Sequence, residues 1–217
     1  MGPEPMGGIG AVGARPLRIG DDAPVFQART TMGRVSLDQY RGRWVVFFSH
    51  PADFTPVCTS EFIGLARAAP QFDALGCVLL GLSVDSLYAH IAWVEAIRRI
   101  FDVAVPFPVV EDPSMVIGRA YGMIDEAAQD ASAVRATYFI DPVGVIRAMT
   151  WYPLTVGRSV DEMLRMLAAL QRTAGGEVLT PEGWMPGDRL LLPPAQDVAE
   201  LSDDAHREAW FYRMRSE

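Results

Sequence analysis

Trp44-Val45-Val46-Phe47-Phe48-Ser49-His50-Pro51-Ala52-Asp53-Phe54-Thr55-Pro56-Val57-Cys58-Thr59-Ser60-Glu61 is the stretch from which the chain is best read. Its first six residues are a continuous apolar run of strand length, as a strand buried on both faces requires. A short loop follows, and then a helix start. Thr55 suits the N-cap and Pro56 the first helical position, where a fixed φ and a missing N–H do no harm. Cys58 falls at the third helical position, beside unpaired N–H groups that favour an anion. A thiolate there is favoured for the same reason, and the thiolate is the nucleophilic form of cysteine. The alternative at this point is a buried structural cysteine. A loop leaving the carboxyl end of a strand in an open α/β sheet is also where ligands bind.

Outward from this stretch, apolar runs alternate with helical patterns. Cys58–Leu75 places Phe62, Leu65, Ala69 and Phe72 on one helix face, and Cys77–Val84 reads as a second buried strand. Ser86 caps a helix running to Arg99, with Leu87, Ile91, Val94 and Ile97 assigned to its inner face. Phe107–Val110 is a short strand and Ser114–Tyr121 a short helix. Thr137–Ile140 and Val145–Trp151 flank a turn at Asp141-Pro142-Val143-Gly144. Ser159–Leu170 is a helix with Ser159 and Glu162 in capping-box positions. The pattern predicts an α/β fold, with parallel βαβ units, one antiparallel hairpin, and a mixed sheet carrying helices on both faces. From about Gly175 the composition changes, so residues 1–15 read as an unstructured arm, 16–174 as the main domain and 175–217 as a smaller C-terminal module. The aromatic end at Trp210, Phe211 and Tyr212 reads as a partner surface.

Composition narrows the function. The 217 residues carry a net charge of −8, which argues against nucleic acid or an anionic membrane as partner. All 19 basic residues are Arg, so chemistry that needs a Lys is excluded. Two cysteines, Cys58 and Cys77, cannot build a disulfide scaffold, and the cysteine and histidine positions lack short metal-ligand spacing. No metal or cofactor is expected. Residues 1–15 lack the basic start and apolar stretch of a signal peptide, which with the cysteine usage favours a cytoplasmic setting. His90 and His206 read as ordinary helix and tail residues.

Pro51-x-x-x-Thr55-x-x-Cys58 resembles the active-site signature of the peroxiredoxins, and His50 through Glu61 is similar to the one-cysteine, peroxiredoxin-six-like subfamily. Four further segments agree in order. They are Gly81-Leu82-Ser83-Val84-Asp85-Ser86, Val134 to Asp141, Tyr152 to Arg158, and Thr180-Pro181-Glu182-Gly183-Trp184 with Gly187-Asp188. The resemblance spans residues 16–194. It implies a thioredoxin-like fold and reduction of hydroperoxides by Cys58 through a sulfenic acid, with Arg135 beside the sulfur, Thr55 bonding the peroxide and Pro51 shielding the site. Glu61, Arg158 and His50 would support them. No cysteine follows Cys77, which lies within a core strand, so an external thiol of glutathione or thioredoxin type would regenerate Cys58. A homodimer or a decamer is expected, and an oligomeric holdase on the same fold is the rival reading. Some relatives carry a phospholipase site. Its His and Ser positions correspond here to Leu37 and Arg43, neither of which can act as base or nucleophile, so lipase activity is not expected.

Overall fold

A computed structural model describes residues 15–124, 133–196 and 210–217 of the chain. Residues 1–14, which hold all but the last residue of the expected arm, and His206 lie outside the described residues. Two compact units divide between Val160 and Asp161.

The first unit is built on a seven-stranded mixed sheet. Its strands are β1 (Gln27–Thr30), β2 (Gly33–Ser36), β3 (Trp44–Ser49), β4 (Cys77–Ser83), β5 (Val109–Glu111), β6 (Arg135–Ile140) and β7 (Ile146–Tyr152), in the order β2-β1-β5-β4-β3-β6-β7. β3 pairs parallel to β4 and antiparallel to β6; β4 pairs parallel to β5. The hairpin β6–β7 forms as its turn sequence predicts. The hairpin β1–β2 and the 3-10 turn Leu37–Tyr40 carry no strong apolar run and escape the sequence reading.

β3 lies inside the sheet between β4 and β6, and all six of its residues are buried. Side chains alternate across a strand, so Val45 and Phe47 face one layer and Phe48 the other. On the first side Phe47 meets Phe26 and Tyr121 in a cluster that also holds Leu80, Val110, Ile117 and Tyr138. Ile117 belongs to the short helix α3 (Val116–Ala120). On the second side Phe48 meets Phe62 and Phe107, with ring centroids 5.8 Å away in each case. Phe62 lies on α1 (Pro56–Ala74). Gly81 of β4 lets both rings approach closely: a Cβ there would stand 3.3 Å from Phe48 and 3.4 Å from Phe62, and the rings would have to give by a few tenths of an ångström.

The inner face of α2 (Leu87–Phe101) differs from the sequence expectation. His90, Trp93 and Ile97 are buried, while Ile91 is exposed. Hydropathy favours Ile91, but Phe62 offers Trp93 an aromatic partner with ring centroids 4.4 Å apart, and His90 lies beside His50 on the same buried face. Ser86 caps this helix as expected, accepting from the Ala89 amide at 3.3 Å.

In the second unit, the helix α4 (Val160–Thr173) supplies Ala169 to a small core with Val178, Trp184 and Leu190. β8 (Leu190–Leu192) pairs antiparallel with β9 (Arg213–Arg215). Trp210, Phe211 and Tyr212 are exposed. Among the described residues no helix is long and apolar enough to cross a membrane.

Candidate active site

The loop from β3 to α1 delivers Cys58 as its sequence implies. Thr55 has the extended backbone of an N-cap, Pro56 opens the helix, and Cys58 is the third helical residue. One detail departs from expectation. The Thr55 hydroxyl does not cap the helix but donates to Ala52 O at 2.9 Å, tightening the loop instead. Thr59 N donates to Thr55 O at 2.9 Å, so the amides of Val57 and Cys58 sit at the open, positive end of the helix. Phe54 takes φ 58°, a left-handed conformation that costs a non-glycine residue about 1–2 kcal/mol. Pro51 and Thr55 are half-buried and Phe54 is exposed, so this loop reaches the surface while the Cys58 sulfur is fully buried.

Topology brings Arg135 to the sulfur. β6 runs antiparallel to β3, so its first residue stands at the carboxyl end of β3, where α1 begins. Arg135 Nη1 lies 3.3 Å from Cys58 Sγ and 2.8 Å from Glu61 Oε2. Its Nε and Nη2 donate to Leu154 O at 3.1 and 2.9 Å, which fixes the plane of the guanidinium. Glu61 is one helical turn beyond Cys58. Arg158 grips it from the other side: Nε donates to Oε1 at 2.9 Å and Nη2 to Oε2 at 2.8 Å, and the Arg158 amide adds a bond to Oε1 at 2.8 Å. The structure therefore gathers Cys58, Glu61, Arg135 and Arg158 into one buried cluster.

Burial alone would raise the Glu61 carboxyl. The hydrogen bonds and charge of Arg158, with the charge of Arg135, outweigh it and hold the group below its usual range. A carboxylate depressed in the folded state stabilises the fold above its unfolded value. That contribution is lost as the pH falls through the folded value. Acid unfolding followed by circular dichroism is thus expected to have its transition below about pH 4, the ordinary carboxylate range. In Glu61→Gln this acid-sensitive contribution should be missing.

Cys77 is different in kind. It is buried in β4, its thiol donates only a weak contact to Val78 O at 3.5 Å, and burial pushes it up to about 12.

A second buried group was not legible in the sequence. His50 Nε2 lies 2.8 Å from Asp53 Oδ1, and His90 Nδ1 lies 2.7 Å from Asp53 Oδ2. His90 is thus no ordinary helix residue; it is fully buried on the inner face of α2. The signal available was the spacing His90-Trp93-Ile97, a helix face that the more apolar Ile91 and Val94 obscured. His50, Asp53 and His90 have the donor types of a cation site. Their ring nitrogens, however, point at carboxylate oxygens at hydrogen-bond distance, which places a proton in each gap. Asp53 N donates to Asp85 Oδ2 at 2.8 Å, and Trp93 Nε1 donates to Thr59 Oγ1 at 3.3 Å, tying both α2 and the loop after β4 to the Cys58 loop.

A buried cysteine at a helix start, held by an arginine on a thioredoxin-like sheet, defines a thiol peroxidase. The AhpC/TSA family model matches residues 19–149, and the C-terminal domain of 1-Cys peroxiredoxin matches residues 169–205. The chain belongs to the peroxiredoxin family, in its one-cysteine subfamily, and is a thiol-dependent peroxidase. It is 46% identical over 184 residues to peroxiredoxin 2 of Caldanaerobacter subterraneus subsp. tengcongensis, covering 85% of this chain and 83% of that one. It is 47% identical over 170 residues to a peroxiredoxin of Aquifex aeolicus, covering 78% and 77%. Among solved structures, a yeast mitochondrial 1-Cys peroxiredoxin superposes with a TM-score of 0.82 at 37% identity, covering 93% of this chain and all of that one. A mutant of peroxiredoxin 6 of Arenicola marina gives 0.78 at 32% identity, covering 85% and 87%.

Proposed function

We propose that this chain reduces hydrogen peroxide and organic hydroperoxides by a one-cysteine mechanism, with Cys58 as nucleophile and an external thiol as reductant. The observation that carries the reading is the 3.3 Å approach of Arg135 Nη1 to Cys58 Sγ within a cluster of two guanidinium groups and one carboxylate. That cluster holds one excess positive charge in a buried place, and a thiolate is what neutralises it.

The Cys58 thiolate attacks the terminal hydroxyl oxygen of the peroxide. The S–O bond forms as the O–O bond breaks, and the electron pair leaves with the alkoxide or hydroxide, which takes a proton from solvent. Sulfur is oxidised to sulfenic acid and the peroxide is reduced to alcohol or water. Arg135 and the amides of Val57 and Cys58 are donors along the path of the moving charge. The Thr55 hydroxyl, whose proton is committed to Ala52 O, retains lone pairs that accept the peroxide O–H. Pro51 shields the site from water. Glu61 and Arg158 are positioning residues that hold Arg135. His50 supports the same pocket, meeting Phe62, one turn beyond Cys58, edge to face at 4.8 Å.

With Cys77 buried and its thiol pushed up to about 12, it is a poor resolving partner. The yeast relative resolves its thiol through glutathione and thioredoxin systems. A reductant of that type, in a cytoplasmic setting, fits the two free thiols of this chain. The exposed Trp210, Phe211 and Tyr212 support a homodimer, or a decamer built from it, and residues 175–217 as its C-terminal extension.

Intact-mass spectrometry after one equivalent of peroxide tests the mechanism. One added oxygen, mapped to Cys58 and trapped by a sulfenic-acid reagent, is the expected result. A disulfide through Cys77 would overturn it.

A further inference from the structure

The group formed by His50, Asp53 and His90 is not used up by the chemistry above. Both histidines are fully buried and Asp53 nearly so. His90 Nε2 lies 3.2 Å from Val110 O, and a carbonyl can only accept, so this nitrogen carries a proton. His90 Nδ1 faces one oxygen of Asp53, and His50 Nε2 faces the other. If Asp53 is ionised, both of these nitrogens carry protons as well. His90 is then an imidazolium and the trio is neutral overall, with His50 uncharged. Burial favours that neutral sum, since an unbalanced charge there has no water to solvate it. The remaining atom is His50 Nδ1, which has no hydrogen-bond partner. In the neutral trio it holds a bare lone pair.

The other groups support this assignment. Burial pulls His50 below its usual range more than Asp53 raises it, and the charges of His90 and Arg158 add to the effect. Asp53 is held below its usual range because the hydrogen bonds from His50 and His90 outweigh its burial. Asp85 is the other acid facing the trio. Its carboxylate is occupied by the Asp53 amide and by the Ser83 hydroxyl at 3.0 Å.

We propose that His90 is a positioning residue for peroxide reduction: as the cationic partner of Asp53 it keeps His50 neutral, as the Nε2–H tautomer, with Nδ1 free to accept a hydrogen bond. The inference rests on the peroxidase reading for its purpose. The Arg135 guanidinium and the helix amides all donate, and Thr55 Oγ1 is the acceptor named above; His50 Nδ1, directly after β3 on the chain that leads to Cys58, adds a second, uncharged one. Removing the charge of His90 transfers the balancing proton to His50 and closes that acceptor.

Imidazole ¹⁵N NMR on the reduced full chain tests the proton placement without any peroxide, using His206→Gln to assign the third histidine. At neutral pH, His90 is expected to be protonated at both nitrogens and His50 at Nε2 alone. In His90→Asn, which keeps an N–H for Asp53 but no charge, His50 is expected to become protonated at both nitrogens. Its peroxidase kcat/KM should then fall by about three- to tenfold, the size of one lost neutral hydrogen bond. A His90 nitrogen found bare in the wild-type protein overturns the proposal, even if the variant does not fold. So does a His50 that stays neutral in His90→Asn. Neither result touches the role of Cys58, which stands or falls on the sulfenic acid.

Discussion

Cys58→Ser is expected to abolish peroxide consumption. Loss of a catalytic nucleophile elsewhere costs on the order of 10⁶ in rate, and no described group can replace this one, since Cys77 is buried and protonated. The fold should survive. Serine is close in size to cysteine, and its hydroxyl can accept from Arg135 Nη1 in place of sulfur. What remains is the excess positive charge of the cluster, so a stability loss of about 1–2 kcal/mol is expected, read from the thermal midpoint. The same variant separates the peroxidase from a holdase on this fold. Suppression of aggregation of an unfolded client would persist in Cys58→Ser, whereas peroxide turnover would not. Turnover retained in this variant would refute Cys58 as the nucleophile.

Arg135→Met is expected to lower kcat/KM for peroxide by about 10²–10³, the loss seen when one preorganised donor is removed from a developing anion. Methionine fills much of the volume without supplying a donor or a charge. Alkylation of Cys58 by iodoacetamide at neutral pH should slow in parallel, because in the proposed mechanism the same guanidinium serves the resting sulfur and the transition state. Stability should fall less than the 3–5 kcal/mol of a fully broken buried pair, since Arg158 keeps its two-point grip on Glu61. Arg135→Lys should recover part of the rate but not all of it. An ammonium cannot hold the sulfur, Glu61 and Leu154 O at once from one plane. An unchanged rate in Arg135→Met would show that the contact with sulfur is structural only.

Much of this protein is legible in its residues because the relevant signals are local. The apolar run Trp44–Ser49 reads as a doubly buried strand, and it is an interior strand of the sheet between β4 and β6. Thr55 and Pro56 mark a helix start, so the third position of Cys58 follows from steric and hydrogen-bonding rules within seven residues. The turn at Asp141–Gly144 likewise fixes the hairpin β6–β7. Signals failed where the deciding partner was distant. Hydropathy points to Ile91 with Ile97 on the inner face of α2; Ile97 is buried, but the rings of Phe62 and His50, which no periodicity in α2 can reveal, pack on Trp93 and turn its face inward in place of Ile91.

The strand, the loop and the helix start that present Cys58 follow from residue order alone, since each depends on neighbours within a turn or two. What surrounds the sulfur depends on how distant strands and helices come together. Arg135 is 77 residues away in the chain and reaches Cys58 because β6 runs antiparallel to β3. His90 is 37 residues from Asp53 and meets it because α2 covers the same face of the sheet as the Cys58 loop. A charge finds its partner through the folded path of the backbone, and residue spacing carries no trace of that path.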